Sequence, residues 1–318
     1  MKQRNQTIDL AKGIAIILMV FGHCYEGDNV ISRWIYAFHM PFFFLISGML
    51  YAGKWQKGVR FAFPATAKKL LIPYFVFDTL FTAFILILGR TDDFAGSFLD
   101  VLQHQIIPLT GKTVTWYLPC YLLVLCIFVV AAKHSGKQFV VLLSVGLYLI
   151  GILVPVPNGL FQVWRSLVAT GFFAIGYYAK KCFSSKCATP WVTAASVLFL
   201  WLSYCNGRVG LAGLQFSNPL LYTANSLLGS WLLIQFSMRM QANRWTNWII
   251  HFGKNTVIVL CTHMFVLEIT RVLEHKLLGN ALNGIWIAES FIVGGIVVVL
   301  MFPMIAFCNR FCSGLFGK

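Results

Sequence analysis

His23 follows Lys12 by eleven residues in the run Ile8-Asp9-Leu10-Ala11-Lys12-Gly13-Ile14-Ala15-Ile16-Ile17-Leu18-Met19-Val20-Phe21-Gly22-His23. Eleven helical residues rise about 16 Å and complete almost a whole number of turns, so both side chains share one face. That face carries a cation at one end and an imidazole at the other. Imidazole is the usual general base near neutral pH. The pair suits a ligand with an anionic head and a reactive tail. Acyl-coenzyme A has that shape: phosphates, then a long arm, then a thioester. The plainer alternative is a lysine that snorkels to a membrane surface and a histidine at the opposite interface.

A second histidine, His39, opens Phe38-His39-Met40-Pro41-Phe42-Phe43-Phe44-Leu45-Ile46-Ser47-Gly48. Two histidines at one depth, on helices joined by a short loop, could share a site. Alone, His39 reads as an interfacial residue bonded to a neighbouring helix. Ser47-Gly48 fits close helix contact better than catalysis. Lys68 and Lys69, just before Pro73-Tyr74, could hold nucleotide phosphates or simply follow the charge bias described below. Asp78 lies deeper and needs a partner such as a tyrosine, histidine or lysine. Trp116-Tyr117-Leu118-Pro119 reads as ordinary interfacial anchoring. In Gly253-Lys254-Asn255-Thr256 and the run to His263, Asn255 fits a helix cap. His263 falls at mid-depth, as a structural hydrogen-bonding residue or a member of the site. Glu268, Arg271 and Glu289 lie further along, placed to line an acceptor path or to pair with one another.

These residues need helices to hold them. Of the 318 residues, 58% are hydrophobic and only 11% are charged. Soluble domains carry about 25% charged residues, so this chain is expected to be an all-α, polytopic membrane protein. Ten spans are predicted: 8–26, 31–52, 68–89, 116–132, 138–154, 162–180, 190–206, 218–238, 254–271 and 285–307. Each holds enough apolar sequence to approach the roughly 20 residues that cross the hydrocarbon core. Arg33, Arg90, Lys112, Arg208, Arg271 and Lys276 fall in alternate segments, and Lys12 and Arg165 fall inside spans. The other lysines and arginines fall in the remaining segments. The positive-inside rule makes those segments cytoplasmic, with both termini among them. The net charge of +15 is therefore a matter of topology, and no nucleic-acid partner is expected. The outer loop 90–115 adds Asp92, Asp93 and Asp100. The nine cysteines have no CxxC spacing, so neither a metal site nor a disulfide framework is expected. No internal repeat divides the chain. Residues 1–318 read as one membrane domain, and the few residues after the last span leave no room for an added soluble domain.

The motif Asp9-x-x-Lys12-Gly13, the Lys12-x10-His23 spacing and Phe38-His39-Met40-Pro41 through Ser47-Gly48 resemble the acyltransferase family 3 membrane proteins. Lys68-Lys69 with Pro73-Tyr74, Trp116-Tyr117-Leu118-Pro119 and Gly253-Lys254-Asn255-Thr256 with His263 resemble family segments in the same order. The flavour is that of the fucose 4-O-acetylase-like branch. The resemblance implies a ten-helix enzyme of the bacterial inner membrane. Such enzymes pass an acyl group, usually acetyl from cytoplasmic acetyl-CoA, to an extracytoplasmic glycan such as O-antigen, exopolysaccharide or a lipid-linked sugar. It implies His23 as the catalytic histidine, His39 as a second catalytic or supporting residue, and Lys12 as a coenzyme contact. Lys68 and Lys69 stand near a family cluster that is often two arginines with a two-residue gap. Asp9, Asp78, Asn255 and His263 are the supporting polar residues. Acetyl-CoA, the glycan and membrane lipid are the expected partners, with a homo-oligomer open because relatives assemble. The rival reading is a transporter or flippase of a lipid-linked sugar, for which repeat symmetry and broken helices would be the sign.

Overall fold

The computed structural model describes residues 5–25, 27–55, 62–88, 115–157, 160–240, 243–278 and 286–317. The acidic stretch with Asp92, Asp93 and Asp100, together with Arg90 and Lys112, lies outside the described residues. Among the described residues the structure is helical: α1 Gln6–Cys24, α2 Val30–Trp55, α3 Phe63–Ile87, α4 Tyr117–His134, α5 Lys137–Leu153, α6 Phe161–Tyr178, α7 Lys180–Ser184, α8 Thr189–Asn206, α9 Pro219–Arg239, α10 Asn247–Lys254, α11 Thr256–Leu278 and α12 Trp286–Phe311, followed by a 3-10 turn at Ser313–Phe316. The chain is an all-α membrane protein. Helices suit lipid because they satisfy every backbone group within one segment.

The ten longer helices fall on the ten expected spans, with two differences that matter. The third begins at Phe63, so Lys68 and Lys69 sit within its first two turns. Pro64 favours that early start, because proline is at home in the first turn of a helix. The ninth span starts two residues late: the short α10 ends at Lys254, Asn255 takes a non-helical conformation, and α11 runs uninterrupted from Thr256 to Leu278.

Five helices are long and apolar enough to cross a membrane on composition alone: Gln6–Cys24, Val30–Gly53, Tyr117–His134, Thr256–Glu274 and Ile287–Phe311. Others fall short because they carry polar residues that face protein. On α6, the Ser166 and Thr170 hydroxyls donate to the carbonyls of Gln162 and Ser166 at 2.8 and 2.7 Å. On α9, Ser226 reaches across to the Ala37 carbonyl at 2.7 Å. Buried hydroxyls that find a carbonyl avoid the penalty of an unsatisfied group.

Contacts between helix ends show that the bundle alternates up and down. At one end α1 meets α10, Lys69 packs its stem on Gly317, and the Lys180 ammonium lies beside Gly53. At the other end Tyr36 donates to the Gly22 carbonyl at 2.9 Å, and Gln162 donates to the Trp116 carbonyl at 2.6 Å. Both described chain ends therefore lie at the same end of the bundle, the one that the lysine and arginine bias marks as cytoplasmic. The central helix is α2, 83% buried over its apolar window, whereas α12 is 39% buried. Phe42, Phe44, Phe128, Phe172 and Phe173 fill the interior. Val145, Leu149, Trp201, Phe291, Val299 and Phe307 project outward from α5, α8 and α12, as lipid-facing side chains must.

Glycines set the closest crossings. A Cβ on Gly48 would lie 2.0 Å from the Phe173 carbonyl oxygen, and one on Gly176 would lie 1.9 Å from that of Leu45. Ser47-Gly48 is thus a helix-contact motif, as its sequence suggested. A Cβ on Gly13 would lie 2.0 Å from the Ile249 oxygen, and one on Gly253 would lie 1.7 Å from that of Asp9. Outside the membrane, Arg33 clips the loop before α2 by donating to both oxygens of Asp28, at 2.7 and 2.6 Å. Those hydrogen bonds hold the Asp28 carboxyl below its ordinary range.

Two outcomes follow. Gly253→Ala and Gly48→Ala must push carbonyls apart and should each lower stability by about 1–3 kcal/mol. Gly146→Ala, where nothing lies within 4 Å of the added methyl, should leave stability unchanged or raise it by up to about 1 kcal/mol. Thermal unfolding in detergent, followed by tryptophan fluorescence, separates the two classes. For Asp28, a lowered folded pKa means stability that is present above the usual aspartate pKa of about 3.9 and lost as pH falls through the folded value. The pair is exposed and screened. Asp28→Asn should therefore cause a small loss of Tm at pH 7 that shrinks as pH falls below about 3.9.

Candidate functional site

Lys12 stands at one end of an internal cavity of about 190 Å³. Lys12, Ile16 and Met19 of α1 line it, and His23 is the next residue on that stripe. The other walls come from Met40, Phe43, Ile46, Ser47 and Leu50 of α2, Leu70 of α3, Tyr117, Leu118 and Tyr121 of α4, and Thr256, Val257 and Leu260 of α11. Lys12 Nζ is held by Asp9 Oδ1 at 2.9 Å. Asp9 is buried, so the ion pair fixes the ammonium at the cavity mouth while two of its three donors still point elsewhere.

From Lys12 to Met19 the cavity rises about 10 Å. Its far end is ringed by three residues, each within one helical turn of a different histidine. Met19 precedes His23 by four residues, Met40 follows His39, and Leu260 precedes His263 by three. The cavity therefore extends from Lys12 toward the histidine-bearing end of the bundle, and no histidine is among the residues that line it.

The histidines differ in setting. His23 is half-buried near the end of α1, and its ring centroid lies 5.1 Å from that of His263. The Arg271 guanidinium reaches the His23 backbone carbonyl at 3.4 Å. His263 is buried, and its Nδ1 lies 3.0 Å from each of the Val259 and Leu260 carbonyls. A carbonyl only accepts, so Nδ1 carries the hydrogen and Nε2 holds a lone pair. His39 is also buried, and its Nδ1 donates to the Ile35 carbonyl at 2.8 Å. Its ring meets the edge of Tyr36 at 5.3 Å, and Tyr36 bonds the carbonyl next to His23. His39 thus reaches α1 through a tyrosine, whereas His263 lies directly beside His23.

That pairing follows from how α11 sets off beside α1. Gly253, near the end of α10, packs against Asp9 and Gly13. After the non-helical Asn255, α11 starts at Thr256, and His263 lies seven residues along it, about 10 Å of rise, while Val257 and Leu260 share the cavity wall with Ile16 and Met19 of α1.

The other expected residues take varied places. Lys68 and Lys69 are exposed, and the next residue, Leu70, lines the cavity. Asp78 is buried and accepts a hydrogen bond from Thr115 Oγ1 at 2.7 Å, a hydroxyl of threonine where tyrosine, histidine or lysine was expected. Asn255 immediately precedes α11, and its side chain bonds two other helices. Its Nδ2 donates to the His251 carbonyl at 2.9 Å, and its Oδ1 accepts from Asn309 at 3.1 Å. These bonds brace the break between α10 and α11 against α12. Trp116 is not an interfacial anchor. It is buried beneath the Arg165 guanidinium, 4.9 Å from its ring centre, and Arg165 also donates to the Ala212 carbonyl. This brace fixes the start of α4, where Tyr117 enters the cavity wall 3.5 Å from Ser47 Oγ. Sequence reasoning missed Tyr36, Tyr117 and Tyr121. The only signal available was a tyrosine beside each motif.

Removing Lys12 should leave the Asp9 carboxylate buried without its cation. Lys12→Met is expected to lose about 2–3 kcal/mol of stability, and Lys12→Met with Asp9→Asn should recover most of it. Thermal melts of the two proteins check this.

The family model described as an acyltransferase domain, family 3, matches residues 5–306, nearly the whole chain. No curated protein and no solved structure matches it.

Proposed function

The chain belongs to the acyltransferase 3 family, and from that premise we propose that it moves an acetyl group from cytoplasmic acetyl-CoA to a hydroxyl of an extracytoplasmic glycan. One observation carries this reading: a mainly apolar cavity lined by Lys12 and rising along α1 on the stripe that continues to His23. Its wall is mostly apolar, with Ser47, Tyr117 and Tyr121 as polar points. That suits an uncharged arm with a few amides, and Lys12 at the mouth suits a phosphate as a point charge. Lys68 and Lys69 extend the basic surface at the same end.

In this reading His23 is the general base. It takes the proton of the acceptor hydroxyl as that oxygen attacks the thioester carbonyl. A C–O bond forms, the C–S bond breaks, and His23 returns the proton to the departing thiolate. His23 suits the role because it is half-buried near the end of α1, one turn beyond Met19 of the cavity wall. His39 supports it by locking Tyr36 against the Gly22 carbonyl. Asp9 sets the Lys12 ammonium. The setting is the bacterial inner membrane. The motifs shared with the fucose 4-O-acetylase-like branch favour a sugar of O-antigen, exopolysaccharide or a lipid-linked precursor as acceptor.

Purified protein in nanodiscs should bind acetyl-CoA and release free thiol when glycan acceptor is added. His23→Ala should lower that release by at least about 100-fold, with membrane insertion and acetyl-CoA affinity unchanged. In cells, the O-acetyl signal in the NMR spectrum of the surface glycan should vanish with the same variant. Normal acetylation by His23→Ala sinks the assignment.

A further inference from the structure

We propose that His263 is the positioning residue for His23, accepting the hydrogen of the far nitrogen of the His23 imidazole so that its near nitrogen faces the cavity as a base. The inference rests on the acyl-transfer reading and adds a role for the ninth span.

Three observations carry it. First, His263 is 1% exposed, and its Nε2 has no hydrogen-bond partner among the described residues. A buried nitrogen left without a partner is unfavourable by about 1–3 kcal/mol unless it has a use. Second, Nδ1 is held by two carbonyls, which fixes the tautomer and aims a lone pair from Nε2. Third, the ring beside it is His23, at 5.1 Å between centroids and 44° between planes. Two imidazoles sharing an N–H···N bond of about 2.9 Å have centroids about 5 Å apart. The centroid separation matches that of a bonded pair, and the bond requires the half-buried His23 ring to turn until its N–H meets His263 Nε2.

The arrangement has the logic of a base oriented by a third group. Here the orienting group is neutral. An aspartate beside His23 would add a buried charge in the membrane, at a cost that a neutral imidazole avoids. When His23 takes the acceptor proton, the positive imidazolium still donates to a neutral acceptor. No proton moves to His263 in this scheme. Its bonds to Val259 and Leu260 keep Nδ1 occupied, so only Nε2 is available.

The experiment uses full-length protein in nanodiscs, with acetyl-CoA and glycan acceptor. His263→Ala should lower kcat about 100-fold while leaving the KM for acetyl-CoA and the thermal midpoint close to wild type. His263→Gln keeps a carbonyl acceptor on a side chain of similar length and should recover at least a tenth of the wild-type rate. In a His23→Ala background, adding His263→Ala should cause no further loss, because the two act as a unit. A second readout needs no turnover: carbethoxylation of His23, followed by peptide mass spectrometry, should slow several-fold in His263→Ala and return in His263→Gln. Wild-type kcat in His263→Ala overturns the proposal. So does equal loss in the Ala and Gln variants, which marks His263 as packing alone, or a further loss in the His23→Ala background. Failure of wild-type protein to release thiol defeats the acyl-transfer reading, while unchanged carbethoxylation defeats only the histidine pairing.

Discussion

Two backbones approach within van der Waals contact where α1 meets α10. The approach exists because Gly13 and Gly253 have no side chain, so each faces a carbonyl of the other segment: Ile249 and Asp9 respectively. In lipid, packing of this kind takes the place of the hydrophobic effect between helices. It also sets a level. α10 passes α1 in the opposite sense, with Ile249 at Gly13 and Gly253 at Asp9, and the chain turns at Asn255 to start α11 beside α1. His23 and His263 meet because their helices leave this crossing together. Asn255, bonded to His251 and Asn309, keeps the join between α10 and α11 from hinging.

Around that crossing the bundle solves a problem of polarity. A conduit for a charged ligand needs polar groups at membrane depth, and each is costly unless paired. Lys12 is paired with Asp9, and Arg165 lies over Trp116 and bonds the Ala212 carbonyl. Serines and threonines bond carbonyls of their own helices, as at Ser166 and Thr170. The cavity wall stays mainly apolar as a result, and its chemistry is concentrated at the two ends. The central position of α2 follows from the same economy. It supplies Met40, Phe43, Ile46, Ser47 and Leu50 to the wall while Gly48 lets α6 close behind it.

Much of this was legible in the chain. Long apolar runs and alternating basic loops gave ten helices and their directions, because hydropathy and charge act locally along the sequence. The Lys12–His23 stripe was legible for the same reason, since helical periodicity is local. What could not be read was anything that depends on where two distant helices touch. The structure sets His263 beside His23, and no local signal in the sequence states that two helices so far apart in the chain meet there. Trp116 looked like an anchor because a Trp-Tyr pair at a helix end usually meets the interface. Only the fold puts Arg165 over it. Asp78 gained its hydroxyl partner from Thr115, 37 residues away.

The helical stretches from Gly13 to His23 and from Thr256 to His263 restrict how this chain can change length. One residue inserted between Gly13 and His23 would turn the imidazole by about 100° and raise it by about 1.5 Å. The same insertion between Thr256 and His263 would do so on the opposite side, and the two rings would part. Loops between helices tolerate insertions and deletions freely. In this bundle, gaps should accumulate in the loops, while these two stretches keep fixed lengths even where their apolar residues are exchanged.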